Sequence, residues 1–184
     1  MKAKGTAVNS IEQFVKDQSP ADYKNWLNDL NPDAREIFKQ GVKSNLWYDV
    51  KDSIIEPTQK IVEHFYNNNE KGAWDNGRYS AELGLTGVYK IYVKATTPKH
   101  IIDRASRAFA AYYSDSRIKT ENKKPTSVDF IIEYMEEPHR IIELRIGGWI
   151  EKALEISGCR DININMEKLM SRGDDISLYR LSWQ

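Results

Sequence analysis

Three histidines, one cysteine and several acid pairs are the side chains of this 184-residue chain with obvious chemical potential. Their spacing assigns them little of it. His64, His100 and His139 stand far apart and none opens an HExxH sequence, while Cys159 is alone. Neither a zinc helix nor a multi-cysteine cluster is spelled out. Cys159 follows Gly158 near an expected helix end with no base beside it, which reads as a small packing residue. Glu136-Glu137 and Asp174-Asp175 are adjacent rather than convergent, so they read as solvated surface and not as an acid–base pair. Residues 171–175 lack the oxygen spacing of a calcium loop and read as a hairpin turn. There is no GxxxxGKS/T loop and no GxGxxG after a strand. No catalytic residue and no metal ligand is assigned.

The stronger signal is aromatic: 5 Trp, 10 Tyr and 5 Phe, several on faces expected to point inward. Tyr89, Tyr92, Tyr112, Tyr113 and Trp149 with Arg145 are a suitable set to line an apolar cavity with a few polar anchors. The same rings would equally complete a core and a helix–sheet interface. Gly84 and Gly87 lie close to one helical face, where interior glycine is costly unless another helix or a ligand approaches the backbone. Arg145 or Arg117 at the mouth of such a cavity would favour a carboxylate or phosphate on a hydrophobic body, because the guanidinium donates two parallel bonds. The candidate ligand-binding set is therefore Gly84, Gly87, Tyr89, Tyr112, Tyr113, Arg117, Arg145 and Trp149.

These residues need elements to hold them. Ser10 and Gln13 suggest a capping box ahead of a helix carrying Ile11, Phe14 and Val15. A second short helix carries Tyr23, Trp26, Leu27 and Leu30, and Asn31-Pro32-Asp33 opens a third that stops at Gly41. Val50, Ile54, Ile61 and Phe65 keep helical spacing, and Pro57 predicts a kink or a restart among them. Asn67-Asn68-Asn69 with Gly72 and Gly77 reads as a loop. Ala81, Leu85, Val88, Tyr89 and Tyr92 then mark a helix, and Thr97-Pro98 starts another with Phe109 and Tyr112 on its apolar side. After Ser114 the period changes to two. Strands are predicted near 116–122, 126–135, 160–168 and 175–183, with Val128, Phe130, Ile132 and Tyr134 sharing one face. Glu136-Glu137-Pro138 would lead into a helix striped by Ile142, Ile146, Trp149, Ile150, Ala153 and Leu154. The order predicts an α+β fold: N-terminal helices, then a mainly antiparallel four-stranded sheet with helices packed against it.

Composition narrows the function. The 27 basic and 27 acidic residues cancel, which argues against nucleic-acid binding, and the last strand offers Tyr179, Arg180 and Trp183 with little positive charge around them. The first residues hold no signal-peptide apolar core and no stretch approaches membrane-spanning length. A soluble, cytoplasmic protein without an integral membrane segment is expected.

Several short runs carry a resemblance: Trp47-Tyr48, residues 84–89 (GLTGVY), Tyr112-Tyr113, Gly147-Gly148-Trp149, Ala153-Leu154-Glu155 with Gly158, and residues 172–175 followed by Leu181-Ser182-Trp183. In order and spacing, from about Trp47 to Trp183, the chain resembles a bacterial family related to the haem-NO-binding and 4-vinyl-reductase-like small-molecule-binding superfamily. The resemblance implies residues 46–184 as an α+β ligand-binding domain, with residues 1–45 a helical segment packed on it. It implies binding or sensing of a small hydrophobic or amphiphilic molecule without catalysis, in signalling. The alternative is a structural module that dimerises through its helices or meets a signalling partner protein. A hydrophobic pocket does not separate binding from turnover, so enzymatic activity stays open. Haem-binding relatives carry a proximal histidine and a Tyr-x-Ser-x-Arg run that grips the propionates. The nearest match here, residues 113–117, puts Asp115 where serine should stand, and an acid repels a propionate. His100 sits in a polar setting. The cysteines of metal-linked relatives are replaced by Met170 and by Asp175 or Ile176. The expectation is therefore no cofactor, with haem disfavoured.

Overall fold

The structure is a computed structural model and describes residues 1–85, 109 and 111–184. Strand β1 (Lys2–Lys4) pairs antiparallel with β2 (Trp47–Asp49), and helix α1 (Gly5–Gln18) follows β1 directly. The capping box expected at Ser10 does not form. Ala7, Val8 and Ile11 are already one buried helical face, so the helix starts at Gly5 and Ser10 lies inside it, donating to the Ala7 carbonyl at 2.7 Å. Helix α2 (Tyr23–Asp29) buries Trp26, whose indole N–H reaches the Pro57 carbonyl at 3.1 Å. Helix α3 (Pro32–Lys39) is capped as its sequence predicts: Asn31 Oδ1 accepts from the Ala34 amide at 2.8 Å. Pro57 marks a helix restart, one of the two outcomes its position predicts. Residues 51–55 form one wide turn, in which the Glu56 amide bonds the Lys51 carbonyl, and α4 (Glu56–Tyr66) begins with the proline in its first turn, where no amide partner is needed.

Asn67 and Asn68 turn the chain in the left-handed region, at φ 50° and 62°. Gly72 and Gly77, expected in that loop, belong instead to helix α5 (Lys71–Leu85). The reason is its crossing with α6 (Arg140–Ile156). A Cβ on Gly77 would stand 2.1 Å from the Arg145 carbonyl oxygen, and one on Gly148 would stand 2.0 Å from that of Trp74. The two backbones touch, and only glycine permits it. Trp74 Nε1 and the Arg78 guanidinium both bond the Glu151 carboxylate across the crossing. At Gly84 no such crossing is found: among the described residues a Cβ there meets nothing within 4 Å. Gly87 and Tyr89, with Val88, Tyr92 and His100, lie outside the described residues.

The main sheet runs β3 (Ser116–Lys124), β4 (Ser127–Met135), β6 (Ser177–Ser182), β5 (Asn163–Lys168) in spatial order, antiparallel throughout. This is the α+β architecture that the period change at Ser114 implied. Val128, Phe130 and Ile132 with Tyr179 and Leu181 are buried in the core beneath α6. Tyr134 does not join them. Ile118 pairs with Ile132 and Arg117 with Tyr134, leaving Glu133 as an extra residue in β4. Beyond that bulge the alternation inverts, so Met135 is buried and Tyr134 is 42% exposed. The approach to α6 also differs. Its cap is His139, whose Nδ1 accepts from the Ile141 amide at 3.2 Å, while Glu136 and Glu137 each take the Met1 ammonium at 2.7 Å.

Two predictions follow from these contacts. Gly148→Ala drives its methyl into the Trp74 backbone and costs about 3 kcal/mol or more in urea unfolding. Gly84→Ala, in open space, is neutral or stabilises by up to about 1 kcal/mol. Burial holds the His139 imidazole below its ordinary value of 6.5, against the opposing pull of Glu143. As pH falls, the unfolded chain therefore takes up this proton first. Its contribution to stability is complete above about pH 6.5 and declines as pH falls toward the folded value. His139→Asn keeps an acceptor at the cap, and urea titrations across about pH 8 to pH 5 should show a shallower acid-side loss for it.

Candidate functional site

Where α6 crosses α5, one charged side chain is carried into the interior. Arg145 is 3% exposed. Its Nη1 donates to Thr58 Oγ1 on α4 at 3.1 Å and to Asn76 Oδ1 on α5, and the guanidinium also interacts with the Tyr113 hydroxyl. Burial pushes the guanidinium below its usual pKa, opposed by Tyr113, yet arginine keeps its proton in any protein setting. Burial likewise pushes the Tyr113 hydroxyl up, with Arg145 pulling the other way. No carboxylate pairs with Arg145 among the described residues. Its Nε and the Asn76 Nδ2 are buried with no acceptor among the described residues.

One turn along α6, Trp149 meets an aromatic cluster centred on Phe109. Ring centroids stand 5.2 Å apart for Phe109–Trp149, 5.8 Å for Phe109–Phe130 and 6.4 Å for Phe109–Tyr113, and Tyr179 extends the group at 5.9 Å from Phe130. Of the predicted set, the structure thus brings Tyr113, Arg145 and Trp149 together. Tyr112 is half-buried and packs against the same core. Gly84 is exposed and apart from them. Arg117 is corrected as a cavity-mouth residue: it lies on the outer face of the sheet, its guanidinium 5.4 Å from the Tyr134 ring centroid. There it lines a shallow groove of about 420 Å³ with Lys119, Glu121, Glu133, Ile131 and Ile176.

Thr58 and Asn76 escaped the sequence reading, and Phe109, placed on an apolar helix face, was left out of the candidate set. Phe109 had a detectable signal, four residues before Tyr113 on the same helical stripe. Thr58 and Asn76 had none, since a polar residue on a helix face gives no sign of facing a buried cation. Glu143 was equally hidden. Fully buried on α6, it accepts from the Ser171 amide at 3.3 Å and from the Ser171 and Ser177 hydroxyls, anchoring the turn before β6. Among the described residues no group of three or more His, Cys, Asp or Glu side chains could hold a metal ion. His64 is committed to Asp29 at 2.9 Å and His139 to its helix cap. No helix among the described residues is long and apolar enough to cross a membrane.

No protein-family profile matches the chain, and no curated protein matches it. Solved structures do. An H-NOX protein from S. oneidensis in the Fe(II)NO state is 14% identical, with 98% of this chain and 99% of that one covered at a TM-score of 0.75. Fe(II) unliganded H-NOX from K. algicida is 10% identical, covering 98% and 96% at 0.70. H-NOX from Shewanella woodyi, bound to IWP-051 in the Fe(II)CO state, is 9% identical, covering 97% and 93% at 0.69. The chain has the H-NOX fold over nearly its whole length, the fold of the haem-NO-binding superfamily it resembles in sequence. The expectation of no cofactor is corrected by this finding, because the structural neighbours are haem-binding H-NOX proteins. Asp115 within residues 113–117 and the polar setting of His100 disfavoured haem in the sequence, and His100 lies outside the described residues. In the structure Tyr113 points inward while Asp115 and Arg117 are exposed, so that run forms no clamp and its acid repels nothing in the interior.

What this chain offers a haem can be read from its interior. Phe109, Phe130 and Trp149 are apolar rings packed edge-to-face, the side-chain chemistry that a flat apolar ring requires, and a buried guanidinium with an open N–H suits a carboxylate at its edge. The packing gives a test on these rings. Trp149→Ala should cost about 3–5 kcal/mol in urea unfolding, since the indole is buried against Phe109. Arg117→Ala, on the outer face, should stay within about 0.5 kcal/mol of the parent.

Proposed function

We propose that this chain is a non-catalytic sensing domain for a small molecule, with haem as the group held in its interior. The observation that carries the reading is the H-NOX fold over 98% of the chain, for proteins solved in Fe(II), Fe(II)NO and Fe(II)CO states. In support stands the chemistry of the interior: Phe109, Phe130 and Trp149 would bound the ring and exclude water, and Arg145 would neutralise a carboxylate. His64 and His139 are engaged elsewhere, which leaves His100 as the histidine that would hold the iron. The chemistry haem supplies when bound is reversible ligation of a diatomic gas.

The test is reconstitution of the purified chain with haem under reducing conditions, followed by gel filtration and visible spectroscopy. A stoichiometric Soret band should elute with the protein, shift on addition of CO, and be lost in His100→Gly with the circular dichroism unchanged. A folded chain that elutes colourless, and takes up no other apolar small molecule saturably, overturns the proposal.

A further inference from the structure

We infer that Arg145, with Asn76, is the recognition point for a carboxylate carried on an otherwise apolar molecule. The inference rests on the reading that the interior binds a small molecule, and it names the chemical class that the interior selects. Two buried charges sit on α6, and the structure treats them oppositely. Glu143 is 0% exposed and its oxygens accept three hydrogen bonds from Ser171 and Ser177, so it is complete as it stands. Arg145 is 3% exposed and incomplete. It has a positive charge that cannot be shed, no carboxylate among the described residues, and an Nε–H without an acceptor.

The open valences around it have one polarity. Asn76 must turn its carbonyl oxygen to the guanidinium, which leaves its Nδ2 hydrogens, also buried, without an acceptor. Thr58 Oγ1 already accepts from Nη1. Among the described residues, what the cluster lacks is therefore acceptor oxygen and negative charge. Water supplies only the first, and a carboxylate supplies both, at the fork geometry that guanidinium prefers. The surroundings decide the rest of the molecule. Tyr113 and, one turn along α6, Trp149 join the Phe109 cluster, so the body attached to the carboxylate is apolar or aromatic.

A haem propionate and a fatty-acid head share this chemistry, and paired probes separate them. Dodecanoate is compared with dodecanol, and haem with its dimethyl ester, each titrated into the full chain. In at least one pair the carboxylate form should bind about tenfold tighter or better, the range of charge-assisted hydrogen bonds. Arg145→Met should close that gap while the neutral probe binds as before. A gap for haem alone assigns the carboxylate to a propionate, and a gap for dodecanoate extends the site to other carboxylates. Equal binding of charged and neutral forms, or a gap that survives Arg145→Met, overturns the inference and leaves the sensing proposal standing. Failure of every probe to bind the folded chain removes both. Should Arg145→Met not fold, Asn76→Ala is the second arm: it keeps the cation, removes the Nδ2 donor, and should narrow the gap several-fold without weakening the neutral probe.

Discussion

The backbone contact between α5 and α6 is the constraint on which the interior depends. Gly77 lies on the Arg145 carbonyl and Gly148 on that of Trp74, so the two helices cross closer than any side chain would allow. Asn76 is the residue next to that contact. Its amide meets the guanidinium because the helices are that close, and Thr58 on α4 meets it from the other side. Trp74 and Arg78 then fasten the outside of the crossing to Glu151 and Glu155. A methyl group at either glycine would separate the helices and disperse the cluster around Arg145.

Helix α6 therefore serves two purposes that usually fall to different elements. Its length between Ile141 and Leu154 is buried on nearly every side, against α5, the sheet and the aromatic cluster. It also brings in two charges whose desolvation costs several kcal/mol each unless compensated. Glu143 is compensated by the turn before β6, and the Tyr179 hydroxyl bonds its backbone carbonyl, so that charge locks sheet to helix. Arg145 retains unspent donor capacity.

Strand β4 shows how the fold sorts inside from outside. Its single extra residue, Glu133, moves Tyr134 to the solvent face, where it stacks with Arg117, and moves Met135 to the core. The bulge separates the outer groove of alternating charge from the interior. Arg117 faces that same outer side through the plain alternation of β3, with Lys119 and Glu121, although Tyr113, four residues earlier, lies in the core.

By itself the sequence determined what local chemistry controls. The Asn31 cap, the chain turns at glycines 41, 158 and 173, the shift from helical to alternating period at Ser114, and the shared face of Val128, Phe130 and Ile132 were all legible, because each depends on neighbours within a few residues. Order and spacing of short runs also carried the superfamily fold. The tertiary structure alone decided which glycines are close contacts, since Gly84 and Gly77 look alike along one helix and differ only in what crosses them. It alone decided that Arg145 turns inward and Arg117 outward. Both are arginines beside aromatic residues; a helix crossing carries one inside, and the face of β3 that packs on the core leaves the other outside. A buried charge is defined by partners distant in sequence, here Thr58, Asn76 and Tyr113, and no local pattern of residues encodes that meeting.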